Sequence, residues 1–191
     1  MNIYDRLILA IWLVFIVYWA LSAISAKRST GLQTQWRTRM AIRVIILALV
    51  VLVLRVPILY RALQQAQAHT PANTLARLIG VVLCALGIGL AIWARVNLGR
   101  NWGMPMSRKE DPELVTTGPY ATIRHPIYTG MLIAMLGSMI GTTIFFLVLF
   151  IVFGVYFIYS ARREEKLMVE QFPEQYSAYM RRTKMLVPFV M

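Results

Sequence analysis

The first half of the sequence is almost devoid of acidic residues. None occurs between Asp5 and Glu110, and the 191-residue chain has 8 Asp and Glu against 20 Lys and Arg, a net charge of +12. Charged residues make up 15% of the chain, whereas about a quarter is usual for a soluble domain. The basic residues lie at the edges of apolar runs, where side chains meet lipid headgroups. We therefore expect a membrane protein, and no nucleic-acid partner.

Cysteine is also scarce, and no nucleotide-binding glycine motif is present. Cys84, inside an apolar run, is the single cysteine, so the chain has no disulfide framework and no CxxC metal pattern. We interpret Cys84 as a small packing residue and predict no metal site. No GxGxxG string lies between a strand and a helix, so the soluble Rossmann-type methyltransferase fold has no support.

Long apolar runs dominate what is present, since 59% of the residues are hydrophobic. A helix needs about 20 residues to cross the hydrocarbon core of a bilayer. The candidate spans are 5–25, 41–60, 76–97, 126–140 and 142–160. The first run lacks a basic leader and a small-residue cleavage site, so we interpret it as a retained span. The pattern predicts an all-α integral membrane protein with five transmembrane helices, forming a single membrane domain over residues 1–191.

The Lys and Arg residues predict the orientation of these spans. Basic residues concentrate after the first span, after the third span and in the C-terminal tail, and cytoplasmic loops carry such an excess. The N-terminus is therefore predicted to lie outside and the C-terminus in the cytoplasm. Two hydrophilic pieces, 98–125 and 161–191, then share the cytoplasmic side.

The tail is predicted to contain an interfacial helix. Phe172, Tyr176, Tyr179 and Met180 follow the spacing of one helical face. Pro173 is expected to interrupt or restart the helix, because proline suits a first turn and not an interior. Such an apolar-faced helix lies on the membrane surface or covers the cytoplasmic end of the spans.

Polar residues precede the fourth span in the run YATIRHPIY, Tyr120 to Tyr128. Pro126 suits the first position of a helix, which places Arg124 and His125 beside a positive N-terminal end. Two basic groups at such an end favour an anionic partner. The alternative is a snorkelling arginine beside an interfacial histidine and tyrosine, which are ordinary in membrane proteins. The residues alone leave both interpretations open.

A second polar constellation, Arg162 to Lys166, directly follows the last span and reads RREEK. It is interpretable as a juxtamembrane cluster that pairs with itself and with headgroups. Against this, half of the chain's acids lie within Glu164 to Glu174, beside an anionic leaflet. A carboxylate there is suited to accept from a hydroxyl or an amino group. In the third constellation, LGRNW, we interpret Gly99 as a helix C-cap and Trp102 as an interfacial residue.

Taken together, these strings resemble the isoprenylcysteine carboxyl methyltransferase family. The resemblance runs from Leu98 to the C-terminus and comprises LGRNW, ELVTTGPYATIRHPIYTG, a hydrophobic hairpin and RREEKLMVEQFPEQYSAY. It implies an integral membrane methyltransferase that uses S-adenosylmethionine, with the cofactor on the cytosolic side. It further implies that a hydrophobic acceptor enters from the lipid beside the fourth and fifth spans.

The resemblance also assigns residues to the site. The adenosine end of the cofactor is expected to contact Glu113, Leu114 and Val115. The pocket wall is expected to consist of Tyr120, His125, Pro126 and Tyr128. Glu164 would meet the polar end of the cofactor. The cofactor's own carboxylate would supply the anion favoured by Arg124 and His125. If the acceptor is an amine, Glu164 or Glu165 would accept its proton as the catalytic group.

One position departs from the family pattern. Isoprenylcysteine enzymes carry an arginine four residues before the tail glutamate, and this chain has Ser160 there. The acceptor therefore stays open between an isoprenylcysteine-like carboxylate and a lipid amine, thiol or hydroxyl. Two alternatives to this function remain: an NADPH-dependent, sterol-reductase-like enzyme, which shares the RHP run and a tail matched by Arg163, Glu164 and Glu165, and a non-catalytic membrane scaffold. The short chain argues against the reductase.

Overall fold

The computed structural model describes residues 2–23, 29–30, 73–99, 108–109, 113–142 and 145–186. The elements in chain order are α1 (Ile3–Ala23), β1 (Ser29–Thr30), α2 (Thr74–Leu98), β2 (Arg108–Lys109), a 3-10 turn (Gly118–Ala121), α3 (Pro126–Gly141), α4 (Phe145–Gln171) and α5 (Pro173–Arg182). The two short strands pair antiparallel, with Ser29 opposite Lys109. Apart from this ribbon, the regular elements in the described ranges are helical, which confirms the predicted all-α class.

Three of the described helices, α1, α2 and α4, are long and apolar enough to cross a membrane, and α3 is a shorter apolar helix of 16 residues. Helix α1 corresponds to the first predicted span and α2 to the third. Helix α3 corresponds to the fourth predicted span and α4 to the fifth. The integral membrane assignment is therefore confirmed. The predicted second span, 41–60, lies outside the described residues, as does Trp102. The total of five spans, the single domain and the orientation stay predictions.

Helix α4 contains most of the last predicted span, 142–160, and continues beyond it. It runs from Phe145 to Gln171 and carries the RREEK cluster on its extension. The stretch from Val155 to Phe172 contains no Gly or Pro, and Arg, Glu and Lys are good helix formers. The helix therefore continues beyond its apolar part. It ends beside Pro173, which starts α5, as predicted.

Local signals at the helix ends agree with the sequence. The Asn73 side chain caps α2 by accepting from the Leu75 amide at 2.9 Å. Gly99 adopts φ 53° and ends the same helix, which confirms the predicted C-cap. His125, with φ −126° and ψ 59°, lies outside the helical region, so that α3 begins at Pro126.

Small residues line the contact between α2 and α3. On α2 the contact is made at Gly80, Cys84, Gly87 and Ala91, and on α3 at Gly130, Ala134, Gly137 and Gly141. A Cβ atom built on Gly87 would lie 2.5 Å from the carbonyl oxygen of Gly130. Glycines at this spacing let two membrane helices approach to backbone contact. We call this contact the glycine seam, and it holds α3 closely against α2.

Helix α1 packs against the glycine seam. Ile8 and Phe15 are buried there, and the Trp12 indole donates to the Ser138 hydroxyl at 3.0 Å. Ser138 in turn donates to the Ala134 carbonyl at 2.8 Å, so both polar groups are satisfied within the apolar bundle. At the other end, Arg95 Nη2 donates to the Ser22 carbonyl at 2.6 Å, which joins the C-terminal ends of α1 and α2.

We expect Gly87→Ala to lower the thermal unfolding temperature of the purified protein in detergent. The added Cβ would meet backbone atoms of α3, and overpacking of this kind typically costs about 1–3 kcal/mol. Gly89→Ala is the matched control, because Gly89 is exposed on the same helix and its Cβ would meet no atom of the described residues within 4 Å. Equal unfolding temperatures for the two variants would contradict the glycine seam.

Candidate functional site

A group of polar side chains gathers where α3 begins. We call it the polar cluster, and its members are Arg124, His125, Tyr128, Ser160, Glu164 and Glu165. The first three come from the start of α3 and the loop before it, and the last three come from α4. Helix α5 and the residues after it pack on the same end of the bundle.

The centre of the polar cluster is a buried ion pair. Arg124 Nε lies 2.6 Å from Glu165 Oε1, and the two side chains are 9% and 10% exposed. The guanidinium also donates through Nη1 to the Thr183 carbonyl at 2.5 Å. A desolvated charge pair of this kind is stable only when each partner keeps the other, since a lone buried charge is costly.

His125 lies between the two glutamates and is 8% exposed. Its Nε2 is 3.3 Å from Glu165 Oε1, and its Nδ1 is 3.6 Å from Glu164 Oε2. The imidazole stacks on the Tyr128 ring with 5.5 Å between the ring centroids and an interplanar angle of 6°. Tyr128 in turn stacks on Phe157, with 4.5 Å between the centroids and an angle of 5°. The stack holds the imidazole plane in one orientation, so both ring nitrogens face carboxylates.

Glu164 differs from Glu165 in both exposure and partners. The Tyr128 hydroxyl donates to Glu164 Oε1 at 2.5 Å, and the Ser160 hydroxyl donates to the same oxygen at 3.1 Å. Ser160 is fully buried, one helical turn before Glu164. The Glu164 side chain is 26% exposed. Its carboxylate is therefore oriented by two hydroxyl groups while part of it stays accessible.

The residues after α5 pair with the loop before α3. We call Thr183–Leu186 the C-terminal segment, and it forms a parallel bridge between Ile123 and Lys184. The amides of Arg124 and His125 donate to the carbonyls of Lys184 and Met185 at 2.8 and 3.1 Å. The Thr129 hydroxyl donates to the carbonyl of Leu186 at 2.6 Å. The C-terminal segment thus holds the backbone on which the polar cluster is built.

Helix α5 adds a second attachment. The Tyr179 hydroxyl donates to the Tyr120 carbonyl at 2.6 Å, and both rings are buried. Burial raises the pKa of Tyr179 to about 12, although nearby Arg124 lowers it, and burial also raises the pKa of Tyr176. The Tyr179 phenol therefore stays protonated at neutral pH and remains a donor. Tyr176 and Tyr179, two of the four residues predicted to share one helical face, lie on α5 and are buried.

The structure brings together Arg124, His125, Tyr128, Glu164 and Glu165, which the sequence had assigned to one site. Pro126 is fully buried at the start of α3, and Tyr120 is buried in the 3-10 turn. Glu113 is exposed, and Leu114 and Val115 are half-buried in the irregular stretch before that turn. The 3-10 turn packs closely against α2 at Gly118. A Cβ atom built there would lie 2.4 Å from Asn97 Oδ1, so a larger residue would not fit.

Two features of the polar cluster were not predicted from the sequence. The anion beside Arg124 and His125 is Glu165, whereas the resemblance had suggested the cofactor's carboxylate. The pairing of the C-terminal segment with the loop before α3 was not predicted either. The spacing of Ser160 and Glu164, four residues apart on a helix, was the one available signal for their hydrogen bond.

We expect Tyr179→Phe to destabilise the protein by about 0.5–1.5 kcal/mol, because the buried Tyr120 carbonyl loses its donor. Chemical denaturation in a fixed detergent measures the change. Tyr159→Phe is the control, since Tyr159 is 50% exposed on α4. If both variants unfold at the same denaturant concentration as the unsubstituted protein, the attachment of α5 through Tyr179 is refuted.

Comparison with known proteins adds an independent line of observation. The model of the phospholipid methyltransferase family, PEMT, matches residues 75–175, more than half of the 191-residue chain. The matched stretch includes α2, α3, α4 and the whole polar cluster.

Individual relatives match over part of their length. The nickel-cobalt-cadmium resistance protein NccN of Alcaligenes xylosoxydans xylosoxydans is 32% identical over 106 residues, which are 54% of this chain and 49% of NccN. Protein-S-isoprenylcysteine O-methyltransferase B of Arabidopsis thaliana is 32% identical over 115 residues, 58% of each chain. The chain spans about half the length of the curated relatives it matches.

A solved structure shares the fold. The structure of the eukaryotic intramembrane Ras methyltransferase ICMT (isoprenylcysteine carboxyl methyltransferase) without a monobody superposes with a TM-score of 0.57 at 22% sequence identity. The match covers 84% of this chain and 55% of that chain. At this identity the comparison establishes a common arrangement of helices.

Proposed function

The chain belongs to the phospholipid methyltransferase family, and on that premise we propose that it is an integral membrane enzyme that transfers the methyl group of S-adenosylmethionine to a hydrophobic, lipid-borne acceptor. The resemblance to isoprenylcysteine methyltransferases is confirmed by the family match and the relatives. The observation that carries the proposal is the polar cluster itself. Residues 41 positions apart, Arg124 and Glu165, meet at the end of an otherwise apolar helix bundle.

The residues present suit such a cofactor. A carboxylate is a suitable acceptor for an amino group or a ribose hydroxyl, and the Glu164 side chain is 26% exposed. We propose that Tyr120, His125, Pro126 and Tyr128 form the wall of the cofactor pocket. The Tyr128 ring supports this role because it lies parallel to the rings of His125 and Phe157. We assign the adenosine end to the backbone of Glu113, Leu114 and Val115, shortly before the 3-10 turn.

We propose a role for Arg124 that differs from the one that the resemblance suggested. Its Nε and Nη1 atoms are engaged by Glu165 and the Thr183 carbonyl. We therefore propose that Arg124 contributes to cofactor binding by holding Glu165 and the C-terminal segment in place. His125 contacts both glutamates and is proposed to form the boundary between this buried part and the cofactor.

The chemical task of the chain is alignment. S-adenosylmethionine supplies a methyl group that its sulfonium already activates, so the protein residues bind, orient and exclude water. Holding two reactants in line contributes roughly 7–11 kcal/mol in favourable intramolecular cases. The α3–α4 hairpin has no charged residue from Pro126 to Ser160, which suits the approach of an acceptor from the lipid. Where the acceptor carries a proton, Glu164 is placed to receive it, with Glu165 buried behind.

Ser160 bears on the choice of acceptor. It is fully buried and donates to Glu164, so this position offers a hydroxyl and no cation to an acceptor carboxylate. A second carboxylate brought beside Glu164 would be repelled. We therefore propose a lipid-borne amine, thiol or hydroxyl ahead of an isoprenylcysteine-like carboxylate.

Ligand stabilisation tests the proposed cofactor. We expect S-adenosylhomocysteine to raise the unfolding temperature of the purified protein, because a ligand at 100 times its Kd stabilises the folded state by about 2.7 kcal/mol. NADPH at the same concentration is the matched control and is expected to have no effect. Stabilisation by NADPH alone would support a reductase, and no response to either compound would support a membrane scaffold.

Two substitutions test the site. His125→Ala and Glu164→Ala are each expected to weaken S-adenosylhomocysteine binding about tenfold or more, as expected for a lost hydrogen bond to a charged group. Glu174→Ala, an exposed carboxylate on α5, is the control and is expected to bind normally. Unchanged affinity in both site variants, in protein that inserts normally, would return His125 and Glu164 to purely structural roles.

A C-terminal reporter tests the proposed orientation. The excess of Lys and Arg in the tail predicts that an enzyme fused after Met191 is active in the cytoplasm. The same reporter fused before Met1 is expected outside and provides the comparison. A cytoplasmic N-terminal reporter with an external C-terminal one would reverse the orientation and place the polar cluster on the other side of the membrane.

A further inference from the structure

We propose that the C-terminal segment is a working part of the cofactor site, and that the Arg124–Glu165 pair couples its docking to cofactor binding. Arg124 and Glu165 are then positioning residues, and Glu164 is the carboxylate of the pair that faces the ligand. This inference rests on the proposed function and deepens it, because it separates the roles of two adjacent glutamates.

The first step is the position of the Arg124 guanidinium, which joins three parts of the chain. It extends from the loop before α3, contacts Glu165 on α4, and donates to the Thr183 carbonyl after α5. The Met180 carbonyl lies 3.4 Å from Nη1. A guanidinium presents its donors in a fixed planar fork, so these contacts fix the parts relative to one another. An ammonium group lacks that fork.

The second step is the backbone pairing beside it. The Arg124 and His125 amides donate to the C-terminal segment, and the Lys184 amide donates back to the Thr122 carbonyl at 3.2 Å. Thr183 and Leu186 are buried. If the segment left, the amides of Arg124 and His125 would lose these backbone partners. The conformation of His125 therefore depends on a segment about 60 residues later in the chain.

The third step is the difference between the two glutamates. Side chains of adjacent helical residues point about 100° apart, so the two carboxylates reach His125 from different directions. Glu165 also pairs with Arg124 and is 10% exposed, whereas Glu164 is 26% exposed. Tyr128 and Ser160 hold Glu164 Oε1, and Oε2 lies 3.6 Å from His125 Nδ1. Glu164 is thus oriented but accessible, and Glu165 is occupied within the protein.

The fourth step connects these observations. His125 contacts Glu165 through Nε2 and lies beside Glu164 through Nδ1. A change in the Arg124–Glu165 pair therefore shifts the imidazole relative to the ligand-facing carboxylate. Binding and docking then influence one another by the same factor, as linkage requires. A ligand that needs the arranged Glu164 and His125 stabilises the docked C-terminal segment.

The test combines two conservative substitutions with amide hydrogen exchange in the full-length protein. Arg124→Lys keeps the charge and loses the fork, and Glu165→Gln keeps the shape and loses the charge. Each is expected to raise the Kd for S-adenosylhomocysteine about tenfold or more, as for other lost hydrogen bonds to charged groups. Arg181→Lys and Glu174→Gln, at exposed positions of α5, are the matched controls and are expected to bind within about twofold of the unsubstituted protein, as surface substitutions usually do.

Hydrogen exchange provides the readout that a merely structural role would not change. S-adenosylhomocysteine is expected to slow exchange at the amides of Arg124, His125 and Lys184 in the unsubstituted protein, and to slow it much less in Arg124→Lys. Wild-type affinity in both site variants, or exchange at these amides that ignores the bound ligand, would overturn the coupling.

Failure of the proposed function gives a different result. If the unsubstituted protein does not bind S-adenosylhomocysteine, the cofactor assignment is wrong. Hydrogen exchange without ligand then tests whether the Arg124–Glu165 pair holds the C-terminal segment. Faster exchange at Lys184 in Arg124→Lys than in Arg181→Lys would support this role of the pair. Equal exchange in the two variants would overturn it.

Discussion

The arrangement of this protein's polar end depends on one buried ion pair, Arg124 with Glu165. A guanidinium removed from water requires a carboxylate and further acceptors, and here these come from α4 and from the residues after α5. That requirement connects the loop before α3, the polar extension of α4 and the C-terminal segment. His125 lies against the same carboxylate, and Glu164 lies beside His125. The accessible part of the site is thus supported by a part that is shielded from solvent.

The polar cluster lies at the end of apolar helices that meet through small residues. The glycine seam brings α2 and α3 into backbone contact, while Trp12 and Ser138 satisfy each other within the bundle. A membrane contributes little hydrophobic driving force between helices, so close packing and internal hydrogen bonds replace it. The apolar α3–α4 hairpin can then face lipid up to Ser160, directly beside the polar cluster. This proximity suits a reaction between a water-soluble donor and a lipid-borne acceptor.

Much of this could be read from the sequence, and the remainder depends on contacts between distant residues. Apolar runs predicted the described spans. Gly99 marked the end of one helix, and Pro126 and Pro173 marked the starts of two others, because these residues act on the backbone within one helical turn. The RHP run and the Glu-Glu pair were assigned to one site from a family resemblance. The partner of Arg124 was not foreseen, since the choice between Glu164 and Glu165 depends on the rotation of α4. The pairing of Lys184 with Thr122 is an irregular backbone contact with no periodicity to reveal it.

The central claim is methyl transfer to a lipid-borne acceptor at this site. The most direct measurement incubates the purified protein with S-adenosylmethionine labelled in its methyl group and a membrane lipid extract, and then identifies the labelled species. The account predicts label in a lipid-soluble product with the unsubstituted protein and much less with Glu164→Ala. Absence of labelled lipid from protein that binds S-adenosylhomocysteine, or equal labelling by Glu164→Ala, would contradict it.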